Sequence, residues 1–223
     1  MKTISIVSQK GGVGKTTLAT ALAVEASREG KKAVLFDLDP QASASFWKDT
    51  RVDSSLAITA VPAARLSHVL SAAAEAGCDL AIIDTPPFPK DIAYEAAQHA
   101  DFVLVPSRPA VLDIMAMTRT LELLQHYERP YGVVLTFCPP QGREVDDTCD
   151  VITKLKAPLC PVRIGNRIAY SRAQQSGQAA QEIEPSGKAA QEIKDLYAYV
   201  CMNLYDHKQK EKPHGRKRIA SGA

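Results

Sequence analysis

Residues 10–17 read Lys10-Gly11-Gly12-Val13-Gly14-Lys15-Thr16-Thr17. A short apolar segment, Ile4–Val7, precedes this glycine-rich stretch, and an alanine-rich segment, Leu18–Ala26, follows it. The first is typical of a buried strand and the second of a helix. A glycine-rich turn between a strand and a helix lets successive backbone N–H groups converge on phosphate oxygens, with the positive end of the helix pointing at them. The order of these segments predicts a phosphate-binding loop.

The side chains of this loop extend the prediction to a nucleotide. Gly14, Lys15 and Thr16 match the end of the general pattern G-x-x-x-x-G-K-[ST], in which the lysine reaches the β- and γ-phosphates and the hydroxyl binds Mg²⁺. We expect the glycines to allow close approach of the backbone, and Thr17 to donate to the α-phosphate. The predicted nucleotide-contacting residues are Gly11, Gly12, Val13, Gly14, Lys15, Thr16 and Thr17.

Two further segments place carboxylates at the ends of apolar strands. Residues 34–41 include Asp37 and Asp39, and residues 80–87 include Asp84. A carboxylate at such a position can hold Mg²⁺ through water beside the phosphates, so Asp84 is a predicted metal residue together with Thr16. Asp37 and Asp39 are separated by one residue and therefore point the same way in extended backbone. Turn or cap chemistry is the alternative for each of the three aspartates.

The loop departs from the general pattern in a way that resembles one family. Gln9 stands where the pattern has its first glycine, and a second lysine, Lys10, stands just inside the loop. This KGGxGKT form, the D-x-D-P-Q segment at 37–41 and the strand ending in Asp84 together resemble the motifs of the ParA/MinD family of deviant Walker A partition and positioning ATPases. The similarity in pattern extends from about residue 1 to residue 205.

The resemblance implies ATP and Mg²⁺ as ligands and a role for each charged side chain. It assigns Lys15 to the phosphates, Asp39 to orienting the attacking water, and Asp37 to the metal shell or its support. It also implies that Lys10 reaches across an ATP-bound homodimer to the partner's nucleotide, much as an arginine finger acts in GTPases. A solvated lysine without such a role is the alternative. The predicted catalytic residues are Lys10, Lys15 and Asp39, and the predicted metal residues are Thr16, Asp37 and Asp84.

Strand and helix patterns alternate along most of the chain. Apolar segments predict strands at 3–8, 33–37, 80–84, 102–106, 132–137 and 161–164. Helical patterns occur at 15–29, 42–48, 66–76, 92–99, 112–127, 144–155, 167–175 and 188–205. This alternation predicts an α/β fold with an open, mostly parallel sheet flanked by helices and with ligands at the carboxyl ends of its strands. The resemblance implies the P-loop NTPase architecture.

Composition bounds the class of protein. The 223 residues are 45% hydrophobic, which suits one domain with a substantial core, placed at residues 1–206. Five scattered cysteines show no metal-ligand spacing, and no apolar run approaches the roughly 20 residues that span a bilayer. Because no signal-peptide pattern is present, we expect a cytoplasmic protein. Residues 207–223 carry six Lys and Arg and one Glu, and we expect them to form a flexible basic tail.

Two basic segments are candidates for non-specific DNA binding, since basic side chains attract phosphates without reading sequence. The first resembles a DNA-contacting region of the family and contains Arg163, Arg167 and Arg172. The second is the tail, which contains Lys208, Lys210, Lys212, Arg216, Lys217 and Arg218. Ordinary surface charge and an inert solvated tail are the alternatives. We predict no membrane binding, because the helical pattern at 188–205 suits packing on the core and the tail has almost no apolar residue.

The resemblance, together with these residues, implies an ATP-dependent dimerisation switch that hydrolyses ATP slowly. The chain resembles the short partition ATPases without an N-terminal helix-turn-helix, which implies a nucleoid-associated protein that segregates plasmid or chromosomal DNA with a ParB-like or centromere-binding partner. Positioning of another cargo, such as a carboxysome or a chemotaxis cluster, is the alternative. A metabolic P-loop enzyme and a non-hydrolysing scaffold are rivals from other classes. The sequence indicates neither the cargo nor the residues that contact adenine.

Overall fold

The computed structural model of the chain describes residues 1–88, 90–126 and 128–205. Its strands are β1 (Lys2–Ile6), β2 (Ala33–Asp37), β3 (Ala57–Ala60), β4 (Leu80–Asp84), β5 (Phe102–Ser107), β6 (Tyr131–Cys138) and β7 (Leu159–Gly165). They form one sheet in the order β3-β2-β4-β1-β5-β6-β7, and each neighbouring pair is parallel. The order reverses between β4 and β5, on either side of β1, which is where ligands bind in sheets of this kind.

Helices connect the strands and cover both faces of the sheet. They are α1 (Lys15–Arg28), α2 (Ser43–Thr50), α3 (Leu66–Glu75), α4 (Lys90–Gln98), α5 (Val111–His126), α6 (Glu144–Lys154), α7 (Ile168–Gln175), α8 (Ala180–Ile183) and α9 (Lys188–Tyr205), with a short 3₁₀ turn at Ala63–Arg65. None of the helices in the described ranges is long and apolar enough to cross a membrane.

The core lies on both sides of the sheet because successive strand residues point to opposite faces. In β4, Ile82 packs with residues of α1 and α9, such as Leu22 and Leu196. Its neighbours Ala81 and Ile83 pack on the other face with α3. Burial on both faces explains why β2, β4 and β5 are almost entirely apolar.

The predicted fold is confirmed. Each predicted strand and helix is present, with ends within two residues of those predicted. The sequence pattern did not predict β3 or α8. Strand β3 is an edge strand of four residues in which only Ile58 is buried, so it lacks an apolar run. The predicted basic tail, at residues 207–223, lies outside the described residues.

The strand register brings the predicted site together at one edge of the sheet. Asp84 pairs with Ile6 of β1 and with Asp37 of β2, so these three strands end at the same level. The backbone N–H of Leu38 donates to the Asp84 carbonyl at 2.9 Å, and the Thr85 hydroxyl donates to the Ile6 carbonyl at 2.8 Å. The glycine-rich loop and both acidic segments therefore lie side by side.

Candidate functional site

The loop between β1 and α1 has the backbone geometry of a phosphate-binding loop. Gly12 and Gly14 have φ angles of 71° and 90°, in the left-handed region that residues with a Cβ rarely adopt. Gly14 also precedes the first residue of α1, and no side chain caps this helix. The first N–H groups of α1 are consequently available to a ligand, at the positive end of the helix dipole.

Lys15 is turned back over this loop. Its Nζ donates to the carbonyl oxygen of Lys10 at 3.1 Å, and the residue is only 7% exposed. Burial lowers the pKa of the Lys15 ammonium, while the carboxylates of Asp84 and Asp39 raise it. A buried cation that faces a neutral carbonyl can form a stronger, charge-assisted hydrogen bond to a phosphate oxygen.

Thr16 and Asp84 meet beside the loop. The Thr16 hydroxyl donates to Oδ2 of Asp84 at 2.6 Å. Asp84 is fully buried, and its Oδ1 has no hydrogen-bond partner. Burial raises the pKa of the Asp84 carboxyl to about 7; the hydroxyl of Thr16 and the charge of Lys15 lower it, and the charge of Asp37 adds to the rise.

These two side chains fit a magnesium ion. Mg²⁺ prefers hard oxygen ligands, and at phosphate sites it takes one or two protein ligands while substrate and water supply the rest. Thr16 offers a hydroxyl oxygen, and Asp84 offers a buried carboxylate oxygen without a partner. Over the described part of the chain, no group of three or more His, Cys, Asp and Glu side chains is arranged to hold a metal. Thr16 and Asp84 are therefore the residues that would hold Mg²⁺ next to a bound phosphate.

Asp37 has a different position from the one expected of a metal ligand. Its carboxylate accepts the backbone N–H groups of Asp39 at 3.0 Å, Ala44 at 2.9 Å and Ser45 at 3.2 Å. Helix α2 needs this cap because Ala42, which precedes it, has no capping side chain. Of the two roles that the resemblance implied for Asp37, the geometry fits support of the site rather than the metal shell.

Asp39 is the acidic side chain that faces the cleft. The residue is partly exposed, and its Oδ1 accepts the backbone N–H of Gln41 at 2.9 Å. The cleft has a volume of about 860 Å³ and is bounded by the glycine-rich loop, Asp39 and two residues that the sequence analysis did not single out, Arg108 and Phe137.

The two lysines of the loop occupy different places. Lys15 lines the cleft, whereas the lining does not include Lys10, which is partly exposed beside it. None of the ion pairs found within the described residues involves Lys10. The backbone of Lys10 nevertheless belongs to the site, because its carbonyl accepts the hydrogen bond from Lys15.

A second, smaller cavity of about 290 Å³ adjoins the cleft. Gly14, Thr17, Phe137 and Gln174 line both. The remaining walls come from Leu18 of α1, from the end of β6 and from residues between 164 and 171, which run from the end of β7 to the first turn of α7. The cavity lies on the Thr17 side of the loop. No specific sequence pattern marks these residues, which is why the sequence analysis named no base contact.

The three arginines predicted to bind DNA have different surroundings. Arg167 donates from Nε and Nη2 to Glu192 Oε1, at 2.8 and 2.6 Å. Arg163 lies 3.4 Å from Asp146, and both side chains of that pair are more than half exposed. Arg172, on α7, is exposed and takes part in none of the ion pairs of the described residues. The predicted basic residues of the tail, from Lys208 to Arg218, lie outside the described ranges.

The fold and the site define a nucleotide-binding protein of the P-loop class. Residues 4–180 match the model of the family described as the CobQ/CobB/MinD/ParA nucleotide binding domain. The chain therefore belongs to this family, and the predicted relationship to the ParA/MinD proteins is confirmed.

Two relatives and one solved structure illustrate the similarity. Maintenance of carboxysome distribution protein A of Halothiobacillus neapolitanus is 26% identical over 185 residues, which are 78% of this chain and 84% of that protein. The chromosome-partitioning ATPase Soj of Thermus thermophilus is 30% identical over 154 residues, which are 55% of this chain and 62% of that protein. The septum site-determining protein MinD of Pyrococcus horikoshii, solved with Mg-ADP, has a TM-score of 0.76 at 20% identity, covering 89% of this chain and 95% of that one.

Proposed function

We propose that this protein is an ATP-dependent dimerisation switch. It hydrolyses ATP slowly, binds DNA non-specifically as the ATP-bound homodimer, and segregates or positions plasmid or chromosomal DNA with a ParB-like adaptor in the cytoplasm, on the nucleoid. The proposal rests on the different positions of the two loop lysines. Lys15 is buried in the cleft, whereas Lys10 is partly exposed and outside its lining. A cation in that place can act on a nucleotide that a second subunit holds.

The residues of the cleft have complementary roles in this proposal. The free N–H groups of α1 and the Lys15 ammonium bind the phosphates, because phosphoryl transfer depends on positioning and charge neutralisation rather than on covalent help from the protein. Asp39 orients the attacking water. Thr16 and Asp84 would hold Mg²⁺, which would supply part of the charge neutralisation that phosphoryl transfer needs. Asp37 keeps Asp39 in place by holding the first turn of α2.

Exposed apolar side chains beside the loop support the proposed homodimer. Phe88, which follows β4, is 60% exposed, and Val111, Leu112 and Met115 at the start of α5 are 52–74% exposed. Because β4 and β5 lie on the two sides of β1, these residues flank the loop that carries Lys10. Clusters of exposed apolar side chains mark surfaces that associate. A second copy of the chain seated there would bring its own Lys10 to the opposite nucleotide.

The Asp39→Ala variant tests the switch. We expect the ATPase rate to fall by about 10²–10⁴, the range for a residue that assists proton transfer from an attacking group. Since the phosphate-binding groups remain, the variant should accumulate as an ATP-bound dimer. Light scattering coupled to gel filtration, with ATP or ADP in the buffer, measures the dimer. The exposed Asp150→Ala is the matched control. Normal turnover in Asp39→Ala would remove Asp39 from its role.

The DNA-binding part of the proposal is tested by Arg172→Ala. In the dimer this change removes two exposed cations, so we expect weaker ATP-dependent binding to duplex DNA and a plot of log K against log salt that is flatter by about 2, since each phosphate contact contributes about 1. Arg167→Ala should change the slope less, because Glu192 already pairs with that guanidinium. The exposed Arg65→Ala serves as the control. An unchanged slope in Arg172→Ala excludes Arg172 as a phosphate contact, and removing residues 207–223 then tests the tail.

A second candidate function uses the same ATPase cycle for a cargo other than DNA. It is favoured by the carboxysome distribution relative, of which this chain covers 84%. In this case the dimer still binds DNA as a track, but the adaptor belongs to a protein assembly. ATPase assays with and without duplex DNA test the two other classes of protein. The ATPase rate of a metabolic enzyme would not depend on DNA, and a scaffold would not hydrolyse ATP.

A further inference from the structure

Arg108 is a second cation in the wall of the cleft. It follows β5 directly, and β5 is the neighbour of β1, so its side chain reaches the glycine-rich loop from the side. Its Nη2 donates to the carbonyl oxygen of Gly12. A Cβ built on Gly12 would lie 3.0 Å from this same nitrogen, so the guanidinium and the loop are in close contact.

An aromatic platform holds the guanidinium in this place. The Cζ atom of Arg108 lies 4.4 Å from the centroid of the Phe137 ring, within the range of a cation–π interaction. Phe137 ends the regular part of β6 with a φ of 52°, which a residue with a large side chain rarely adopts. Such strain persists only where the surrounding structure enforces it, and it clusters at binding and active sites.

One threonine ties the platform to both neighbouring segments. The Thr136 hydroxyl lies 2.9 Å from the carbonyl oxygen of Val13 in the loop and 3.3 Å from that of Ser107, the residue before Arg108. The loop, the end of β5 and the end of β6 are thus fixed relative to one another. This arrangement determines where the guanidinium can reach.

The hydrogen bonds of Arg108 are incomplete. Its Nε is buried and has no hydrogen-bond partner, although a guanidinium has five N–H donors. The contact with Gly12 engages a neutral oxygen, whereas a phosphate offers charged oxygens in a geometry that suits the guanidinium fork. Among the residues that line the cleft, Lys15 and Arg108 are the two cations. One lysine and one Mg²⁺ leave a nucleoside triphosphate with excess negative charge, which a second cation can balance.

We propose that Arg108 binds the terminal phosphates of the nucleotide held in its own subunit, exchanging the Gly12 carbonyl for phosphate oxygens when the loop fills. The inference rests on the proposed nucleotide binding and names a further residue of that same site. Arg108 contacts Gly12, and Lys15 contacts Lys10, in the same first part of the loop. Because the loop lysine reaches the β- and γ-phosphates, these are the phosphates within reach of Arg108. In this proposal the α-phosphate and the base would lie on the other side, toward Thr17 and the smaller cavity that Thr17 lines.

Calorimetric titration of the full chain with Mg²⁺ and ATP, ADP or AMP tests this assignment. We expect Arg108→Gln to weaken ATP and ADP binding by about 10- to 100-fold, the range for losing a hydrogen bond between charged groups, and to leave AMP binding unchanged. Arg108→Lys, which keeps the charge but loses the fork and the stacking, should lie between the wild type and Arg108→Gln. The control is Arg119→Gln, which removes the same charge from an exposed position on α5.

Substitution of Phe137 gives an independent test of the proposal. Phe137→Leu should weaken ATP binding less than Arg108→Gln does, and the double variant should bind no more weakly than Arg108→Gln alone, because the ring acts through the guanidinium. Circular dichroism checks that each variant is folded. The assignment is wrong if Arg108→Gln binds ATP as tightly as the wild type or more tightly, or if it loses AMP affinity equally.

Lys15→Ala separates this inference from the proposed function. If the wild type binds ATP, Lys15→Ala does not, and Arg108→Gln is indistinguishable from the wild type, the nucleotide site stands and the role of Arg108 falls. If the wild type binds no ATP under any of these conditions, the proposed function itself fails.

Discussion

Lys10→Ala is expected to lower the ATPase rate by on the order of 10³ while leaving the affinity for ATP nearly unchanged. The magnitude follows from arginine fingers in GTPases, which are worth about 10³–10⁵ in rate. Affinity should survive because the Lys10 side chain is outside the lining of its own cleft, and because alanine keeps the backbone carbonyl that accepts the Lys15 hydrogen bond. Lys15→Ala, in contrast, should lose binding and hydrolysis together.

A mixing experiment shows whether Lys10 acts on the partner's nucleotide. Lys10→Ala and Asp39→Ala are each inactive alone in this mechanism. In a mixed dimer, the Lys10→Ala subunit keeps its own Asp39 and receives Lys10 from the Asp39→Ala subunit. One of the two sites of the mixed dimer is therefore complete. An equal mixture should therefore regain about one quarter of the wild-type rate, because about half of the dimers are mixed when subunits of a two-fold dimer exchange freely.

The opposite outcomes are equally clear. No recovery on mixing, with subunit exchange confirmed, means that Lys10 acts within its own subunit. A Lys10→Ala variant that hydrolyses ATP at the wild-type rate makes Lys10 an ordinary solvated lysine, the alternative that the sequence left open.

The parts of the site that could be predicted are those encoded in consecutive residues. The strand, the glycine turn, Lys15 and Thr16 lie within a few positions of each other, and backbone geometry alone relates them. Asp84 is distant in sequence, but it ends a fully apolar strand, and the ends of parallel strands meet at one edge of a sheet. The resulting contact between Thr16 and Asp84 was therefore foreseeable.

The parts that could not be predicted depend on which strands become neighbours. Arg108 reads as one charged residue among many until β5 is placed beside β1, and Phe137 matters only because β6 lies beside β5. Similarly, Glu192 pairs with Arg167 across 25 positions of sequence, which no local pattern indicates. Asp37 was assigned to the metal shell or its support by the family resemblance, but the missing cap of α2 determines what its carboxylate binds.

Asp84→Asn is expected to stabilise the metal-free protein at pH 8 while abolishing Mg²⁺-dependent hydrolysis. The wild-type carboxylate is fully buried with one oxygen unpartnered, and an ionised group in that position is costly. Asparagine has the same shape, and its side-chain oxygen can still accept the hydrogen bond from Thr16. Without the anionic oxygen, however, the site loses the charge that holds Mg²⁺, so we expect the rate to fall by at least about 100-fold.

The pH dependence identifies the cause of this stabilisation. The folded pKa of Asp84, about 7, is above its ordinary value of 3.8, so the folded state binds the proton more tightly than the unfolded state does. The contribution of Asp84 to the free energy of unfolding of the wild type therefore decreases as the pH rises from about 4 to 7 and does not change above that range. The asparagine does not titrate, so its advantage should already be present at pH 5 and should be larger at pH 8 by on the order of 2–3 kcal/mol, since each pKa unit corresponds to about 1.4 kcal/mol.

Thermal unfolding in EDTA at pH 5 and pH 8 measures this difference, and each kcal/mol should raise Tm by about 2–4 °C in a chain of this size. Asp49→Asn removes the same charge from an exposed position of α2 and should shift Tm equally little at both pH values. Added Mg-ADP should raise the Tm of the wild type more than that of Asp84→Asn, because only the wild type keeps the carboxylate that would hold Mg²⁺. If Asp84→Asn instead lowers Tm at pH 8, the carboxylate stabilises the fold through its hydrogen bonds, and its burial is no longer evidence for a metal site. If Asp84→Asn is more stable than the wild type without Mg²⁺ but does not hydrolyse ATP when Mg²⁺ is present, the buried carboxylate of Asp84 destabilises the fold and serves the function of the protein.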